Sequence, residues 1–188
     1  GDKYTTEKQQ VSTDGGTTWT DTGETRQGSI VRNSIDCPID YENEALTIEI
    51  LSSTGKVYSN NSTLEYKVDN GQWQAYQSGG IEGTIGTKIQ WRGHLTATNG
   101  NLFRTSNDTT IRVFGNINSV YEYDTLTDTC YKYVKFFYEN DNLIDAANLI
   151  LPATILREEA YKCMFTNCDN LVTAPALPAT TLANSCYS

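Results

Sequence analysis

Apolar and polar side chains alternate along the first part of the chain. Leu46, Ile48 and Ile50 are separated by a threonine and a glutamate, and the segments 64–68 and 88–92 have the same period of two. Such alternation predicts short strands that bury one face and leave the other in water. A further strand is expected at 110–114, and no convincing helical period occurs among these segments. The pattern therefore predicts a small antiparallel β-sandwich of immunoglobulin-like type over residues 45–115.

Turn residues punctuate these strands. Asn70-Gly71 separates two strand-like segments, as expected for a type I′ hairpin turn whose central residues take positive φ. Residues 12–19, "STDGGTTW", separate two more strand-like arms and have the spacing of an Asp box, a folding element of sialidases and other glycan-handling propellers. A propeller would contain several copies of this element, whereas this chain contains one. The single copy therefore predicts a turn within a hairpin module over residues 1–35 and not a propeller. The acidic segment 36–44, which contains Pro38, is interpreted as a linker.

The composition changes at Gly115. All 14 glycines lie at or before this residue, whereas three of the four prolines and four of the five cysteines follow it. This change predicts that residues 116–188 have a different architecture from the strands before them.

The second part of the chain repeats itself. The segment from Leu151 matches the one from Leu177 at a shift of 26, and the segment from Phe137 matches the one from Phe165 at a shift of 28. A period in the twenties is typical of a solenoid. Apolar residues within 153–165 recur at helical spacing, so we expect a short helix there. The residues expected to form the repeat core are Leu143, Leu151, Leu156, Phe165, Cys168, Leu171, Leu177 and Leu182.

These copies resemble the leucine-rich repeats of BspA-like surface proteins of Bacteroidetes. The resemblance is carried by Phe165, Cys168, Leu171, Ala174, Leu177, Pro178 and Leu182. It implies an α+β multi-domain chain, in which the hairpin and the β-sandwich precede a leucine-rich-repeat solenoid over residues 116–188. Because the sequence stops within the third copy, we expect a truncated array. The resemblance also implies a lipoprotein of the cell surface or outer membrane.

No motif of an enzyme or a metal site is found. His94 is the only histidine and no Cys-x-x-Cys occurs, so a zinc site is not expected. Glu158 and Glu159 are adjacent and would point in different directions from a helix, which argues against a pair of catalytic carboxylates. The acidic stretch 141–145 lacks the spacing and the glycine of a calcium loop. We therefore expect neither catalysis nor a cofactor.

Charge and hydropathy restrict the partners. The formal net charge of −9 argues against binding to nucleic acid, because the phosphate backbone would be repelled. No apolar run is long enough to cross a bilayer. We expect contact with a membrane only through a lipid anchor outside this chain.

Aromatic residues are the candidate ligand contacts. The chain has 12 tyrosines and three tryptophans, and rings with polar tips stack on sugars or anchor protein partners. The candidates are Tyr131, Tyr133, Tyr138 and Tyr161; alternatively, these rings fill the junction between sandwich and repeats. The predicted function is non-catalytic adhesion or recognition of a host protein or glycan. The alternatives are an accessory carbohydrate-binding region of a larger glycan-degrading enzyme and a structural stalk.

Overall fold

The computed structural model describes residues 5–11, 20–28, 44–95, 100–121 and 133–187. The chain divides into two units, Gly1–Pro38 and Ile39–Ser188. In the first unit, β1 (Thr5–Val11) pairs antiparallel with β2 (Thr20–Gly28). The Asp-box residues, and the predicted linker up to residue 43, lie outside the described residues.

Strands dominate the second unit. They are β3 (Leu46–Ile50), β4 (Gly55–Ser59), β5 (Glu65–Val68), β6 (Gln74–Ala75), β7 (Ile81–Gly83), β8 (Lys88–Arg92), β9 (Phe103–Thr105), β10 (Ile111–Asn116) and β11 (Leu143–Ile150). One sheet has the order β11-β10-β3-β8-β5-β6, and the other has the order β7-β4-β9. The six-stranded sheet is mixed, because β10 and β11 run parallel and its other pairs run antiparallel.

The larger sheet crosses the boundary that the sequence suggested at residues 115 and 116. Strand β11 belongs to the repeated part of the chain, yet its Leu143 pairs with Ile111 of β10. The cores are also continuous: the rings of Trp91 and Phe103 lie 5.0 Å apart, and Phe103 lies 5.6 Å from Phe136. The β-sandwich and the repeated segment therefore share one hydrophobic core.

The predicted α+β fold with a leucine-rich-repeat solenoid is wrong. The described chain is nearly all β, with only a 3-10 helix at Ile117–Val120. Residues 153–165, for which the apolar spacing predicted a helix, form bends and successive turns. The backbone gives the reason: Glu159 and Cys163 have φ of 62° and 54°, and Asn167 continues the series at 58°. A residue in this left-handed region cannot continue a right-handed helix.

Candidate binding surface

The repeated part of the chain forms stacked coils. We call residues 133–157 the first coil and residues 158–183 the second coil; residues 184–187 begin a third. Parallel bridges join Asp145 to Thr173, 28 residues on, and Ile155 to Thr181, 26 residues on. The residues that are bridged between coils are thus separated by 28 and 26 positions, the same two separations that relate the copies in the sequence.

On the turn side of the stack, hydrogen bonds run in one direction. Amides of the first coil donate to carbonyls of the second: Lys135 to Lys162 at 3.0 Å, Phe137 to Met164 at 2.9 Å and Glu139 to Thr166 at 2.9 Å. One coil later, the amide of Glu159 donates to the carbonyl of Asn184 at 3.1 Å. Left-handed residues recur at the same positions, as with Lys135 and Cys163. Each turn therefore presents its amides to the coil that follows.

Aromatic rings stack along the same side. Tyr133 lies on Tyr161 with centroids 5.0 Å apart, and Tyr161 lies on Tyr187 at 5.5 Å, with interplanar angles of 12° and 10°. Phe137 and Phe165 form a second stack at 5.7 Å. Offset stacking of this kind adds to the gain from burying the rings.

This stacking decides where the predicted ligand contacts lie. Tyr133 and Tyr161 are buried between coils, so their rings are not offered to a ligand. Tyr138 is half-buried, and the ammonium of Lys135 lies 4.6 Å from its ring centroid. A hydrogen bond to the Glu139 carboxylate raises the pKa of Tyr138. Tyr131 lies outside the described residues.

The predicted repeat-core residues fall into three groups. Leu143, Leu151, Leu156 and Cys168 are buried. Phe165 and Leu171 are half-buried and pack against the core. In contrast, Leu177 is 58% exposed and Leu182 is 63% exposed.

Cys168 is a buried thiol in the second coil. Its Sγ donates to the carbonyl of Phe137 at 2.9 Å. Burial raises its pKa, because an apolar environment disfavours the thiolate. The first coil has Asn140 at this position, where the side-chain amide oxygen accepts from the Thr105 hydroxyl at 3.3 Å. The side chain at this position thus makes a hydrogen bond to a neighbouring element in each coil, to Phe137 from Cys168 and to Thr105 from Asn140.

Exposed aliphatic side chains are concentrated in the coils. Among the residues whose burial is described, six large hydrophobic side chains are exposed: Ile85, Ile150, Ile155, Val172, Leu177 and Leu182. Five of these six belong to the two coils. Val172, at 86%, is the most exposed, and its amide donates to the carbonyl of Ile144 in the first coil. The sequence signal for this position was the recurrence of a β-branched apolar residue at 144 and 172, outside the leucine set.

Two of the hollows on the surface of the second unit differ in chemistry. An apolar cavity of about 320 Å³ lies at the end of the stack, lined by Leu151, Tyr161, Met164, Phe165, Leu177 and Tyr187. A polar hollow of about 450 Å³ lies on the six-stranded sheet, lined by Thr47, Asp69, Asn70, Lys88, Gln90 and Phe114. The sequence does not reveal the polar hollow, because alternation within one strand predicts only that its outward positions are solvated.

The part of the chain that the structure describes offers no metal site and no membrane-spanning helix. The described residues contain no group of three or more histidine, cysteine, aspartate or glutamate side chains able to hold a metal. Cys163, Cys168 and Cys186 are free thiols, and Cys37 and Cys130 lie outside the described residues. Within the same residues, no helix has the length and hydropathy needed to span a membrane. No protein-family model, curated protein or solved structure matches the chain.

Proposed function

We propose that this chain is a non-catalytic cell-surface protein that recognises a host protein through the exposed aliphatic residues of its coils. The observation that carries the proposal is the exposure of Ile150 and Ile155, which are 46% and 60% exposed although a second coil follows their own. Exposed apolar side chains gathered in one region mark a site of interaction more often than the same residues scattered singly.

The chemistry of this surface favours a protein over a sugar. Ile155 and Val172 are 60% and 86% exposed and offer no hydrogen-bonding group. Aliphatic side chains gain free energy when a partner covers them with apolar surface, whereas a sugar requires polar partners for its hydroxyls. With a net charge of −9, the chain also favours partners with basic residues around the contact.

The proposed location is supported by the sequence resemblance. Residues 165–187 share their pattern of leucine, proline and cysteine with BspA-like surface proteins. We extend the proposal to a lipoprotein of the outer membrane, anchored by a lipid outside this chain.

The test is a binding array of extracellular-matrix proteins, plasma proteins and glycans, followed by affinity measurements on any hit. Ile155→Glu and Val172→Glu are expected to weaken a protein hit by about tenfold or more, because each places a charge in an apolar contact. Ile85→Glu is the matched control, since Ile85 is 68% exposed on the β-sandwich. If nothing binds above an acidic control protein of similar charge, the proposal fails.

A glycan is the second candidate, and the polar hollow on the sheet favours it. Phe114 lines this hollow together with Asn70 and Gln90. One aromatic ring with several planar polar groups is suited to a sugar, whose faces are apolar and whose edges carry hydroxyls. Gln90→Ala and Phe114→Ala are expected to abolish a glycan hit and to leave a protein hit on the coils unchanged. This outcome would assign glycan binding to the sheet, as expected for the accessory region of a glycan-degrading enzyme.

A further inference from the structure

The outer face of the six-stranded sheet carries a row of side chains that crosses four strands. Strand register aligns these side chains in adjacent strands: Phe114 of β10, Thr47 of β3, Gln90 of β8 and Lys67 of β5. Alternate residues of the same strands, such as Ile48, are buried in the core. Because side chains alternate between the two faces of a sheet, the row lies on the face turned away from the core. We call these four residues the cross-strand row.

The cross-strand row begins at one aromatic ring, Phe114, and a second ring lies at its other end. The Nζ of Lys67 lies 5.2 Å from the ring centroid of Trp73, and the Cζ of Arg92 lies 4.4 Å from it. Lys67 and Arg92 both belong to the outer face, so Trp73 lies over this face of the sheet. Trp73 is half-buried, whereas Lys67 is only 5% exposed. The ring therefore covers the lysine and keeps part of its own surface accessible.

The distance between the two rings exceeds the length of one sugar. Neighbouring strands of a sheet lie about 4.8 Å apart, and three such spacings separate Phe114 from Lys67. The rings at the two ends of the row are therefore on the order of 14 Å apart. The polar hollow of about 450 Å³ lies on this stretch, and its volume is within the range of ligand sites.

The charges of this face are balanced within the protein. Arg112 binds Glu49 at 2.8 Å, and Arg92 binds Glu65 at 2.6 Å. The hollow itself is lined by one lysine and one aspartate, so neither charge is in excess there. A strongly charged ligand would gain no complementary field on this face, and this favours a neutral ligand.

We infer that this face binds a neutral, linear, β-linked glycan chain that runs across the strands from Phe114 to Trp73. One sugar of the chain stacks on Phe114, and a sugar further along stacks on Trp73. The hydroxyls of the sugars between them exchange hydrogen bonds with Gln90, Lys88 and Asp69. The inference rests on the second candidate of the proposed function, a glycan on the polar hollow. It names the class of glycan and extends the site beyond the hollow to Trp73.

The groups between the two rings suit the edges of sugars. A sugar hydroxyl both donates and accepts, so a site needs both kinds of partner. Lys88 is exposed and, within the part of the chain that the structure describes, forms no ion pair, so its ammonium is available as a donor. The carboxylate of Asp69 is an acceptor, and one of its oxygens is held by the backbone amide of Lys88 at 2.9 Å. This bond orients the carboxylate before a ligand arrives.

The row also selects the shape of the chain. A β-linked chain of glucose or xylose is extended, so its successive rings follow one line and reach both aromatic side chains. An α-linked chain of glucose coils, and its rings turn away from such a line. Linkage is therefore the property that the two rings recognise.

The probes are β-linked oligosaccharides of glucose, xylose, mannose and N-acetylglucosamine, from the monosaccharide to the hexasaccharide. Each is titrated into the full chain by isothermal titration calorimetry. In the series that binds, the hexasaccharide is expected to bind about tenfold more tightly than the disaccharide or better, because only the longer chain reaches both rings. The α-linked glucose series of the same lengths is the control for shape, and it is expected to show no such gain.

Variants of the two rings localise the gain. Trp73→Ala is expected to remove the gain with chain length and to leave the affinity for the disaccharide unchanged, whereas Trp73→Phe is expected to retain most of the gain. The phenylalanine variant keeps a ring over Lys67 and so tests the site even if the alanine variant is unstable. Tyr58→Ala is the matched control, since Tyr58 is a half-buried ring of the smaller sheet that lies 5.9 Å from the Nζ of Lys56. It is expected to leave every affinity unchanged.

The inference is overturned if no series gains affinity with chain length, or if Trp73→Ala leaves the gain unchanged. In both cases a hit that Gln90→Ala and Phe114→Ala abolish keeps the glycan candidate, and the extended site alone fails. If no oligosaccharide binds at about 10 mM, the inference and the glycan candidate fail together. Recognition of a host protein is then still decided by Ile155→Glu and Val172→Glu. A protein hit that both ring variants abolish would assign the face to a protein and would also overturn the inference.

Discussion

Leu156 and Leu182 occupy the same position in successive coils, yet Leu156 is 4% exposed and Leu182 is 63% exposed. The bridge between Ile155 and Thr181, one residue earlier in each coil, fixes this equivalence. The two leucines follow the same Leu-Pro-Ala-Thr segment, at 151–154 and 177–180, so the segment before them does not explain the difference. A coil follows the first one and covers Leu156, whereas within residues 133–187 no coil covers Leu182. Burial in this region therefore comes from the next layer, as in other stacked repeats.

This relationship predicts unequal costs for the same substitution. Leu156→Ala is expected to lower the free energy of unfolding by about 2–5 kcal/mol, because it leaves a cavity in a packed layer. Leu182→Ala is expected to change it by less than about 1 kcal/mol. Urea denaturation followed by tyrosine and tryptophan fluorescence measures both. Equal losses would show that the two leucines have the same surroundings in solution.

A second prediction concerns two glycines with similar backbone angles. Gly115 has φ of 81° and Gly86 has φ of 87°, so alanine is strained at both positions. At Gly115 the added Cβ would also collide with the carbonyl oxygen of Ala45, whereas at Gly86 no atom lies within 4 Å of it. Gly86→Ala is expected to cost about 1–2 kcal/mol, and Gly115→Ala is expected to cost more than about 3 kcal/mol.

Thermal unfolding of the two variants, compared with the unchanged chain, measures this difference. Because Gly86→Ala reports the conformational strain alone, the excess at Gly115 measures the collision beside β10. If both variants unfold at the same temperature, the added Cβ at Gly115 does not collide with the carbonyl of Ala45, and the close contact between these two residues is contradicted.

Strands β3, β5, β8 and β10 were predictable because each has its own local signal, whereas the three strands of the smaller sheet, β4, β7 and β9, were not predicted. Leu46, Ile48 and Ile50 alternate as expected and are buried. The other face of the same strand was expected to be solvated, and this expectation is wrong, because Thr47 and Glu49 are only 3% and 7% exposed. β3 lies between β10 and β8, and Arg112 from β10 reaches Glu49 at 2.8 Å, so neighbouring side chains cover its polar positions. Strand order cannot be deduced from a pattern within one strand.

The turns of the coils could not be distinguished from a helix by apolar spacing. Glu159, Cys163 and Asn167 take left-handed angles every fourth residue, a spacing close to that of one helical turn. No glycine stands at these positions to indicate positive φ. The hydrogen bonds that stabilise the turns go to another coil, so the repeat was visible in the sequence while its local conformation was not.

The candidate site was the least predictable part. The sequence singled out tyrosines, but Tyr133 and Tyr161 stack on each other and are buried. The exposure of Val172 and Leu177 depends on which layers cover them. Such information lies in the stacking order and not in residue type.

A third prediction tests the left-handed positions directly. Cys163 has φ of 54°, an angle that glycine adopts without strain and a β-branched residue resists. Cys163→Gly is expected to change stability by less than about 1 kcal/mol, because relief of strain offsets the entropy that glycine adds to the unfolded state. Cys163→Val is expected to cost about 1–2 kcal/mol. If the segment were helical, the order would reverse, since glycine is the poorer helix former of the two.

A fourth prediction concerns the pH dependence of stability through Cys168. The thiol is buried and donates to the carbonyl of Phe137, and burial raises its pKa above that of an ordinary cysteine. The folded chain therefore keeps the thiol proton at a pH at which the unfolded chain has begun to lose it. The resulting stabilisation is fully present below the unfolded pKa of about 8.5 and is lost as the pH rises through the folded pKa.

We therefore expect the urea midpoint of the chain to fall between about pH 8 and pH 10. Cys168→Ala lacks the titrating group, so its midpoint is expected to fall less steeply, although it starts lower because the hydrogen bond is gone. Other groups that titrate in this range are common to both proteins, so the difference in slope isolates Cys168. In the unchanged chain, iodoacetamide is expected to label Cys168 only as fast as the chain unfolds. Rapid labelling under native conditions, or parallel slopes, would show that the thiol is not held protonated between the coils.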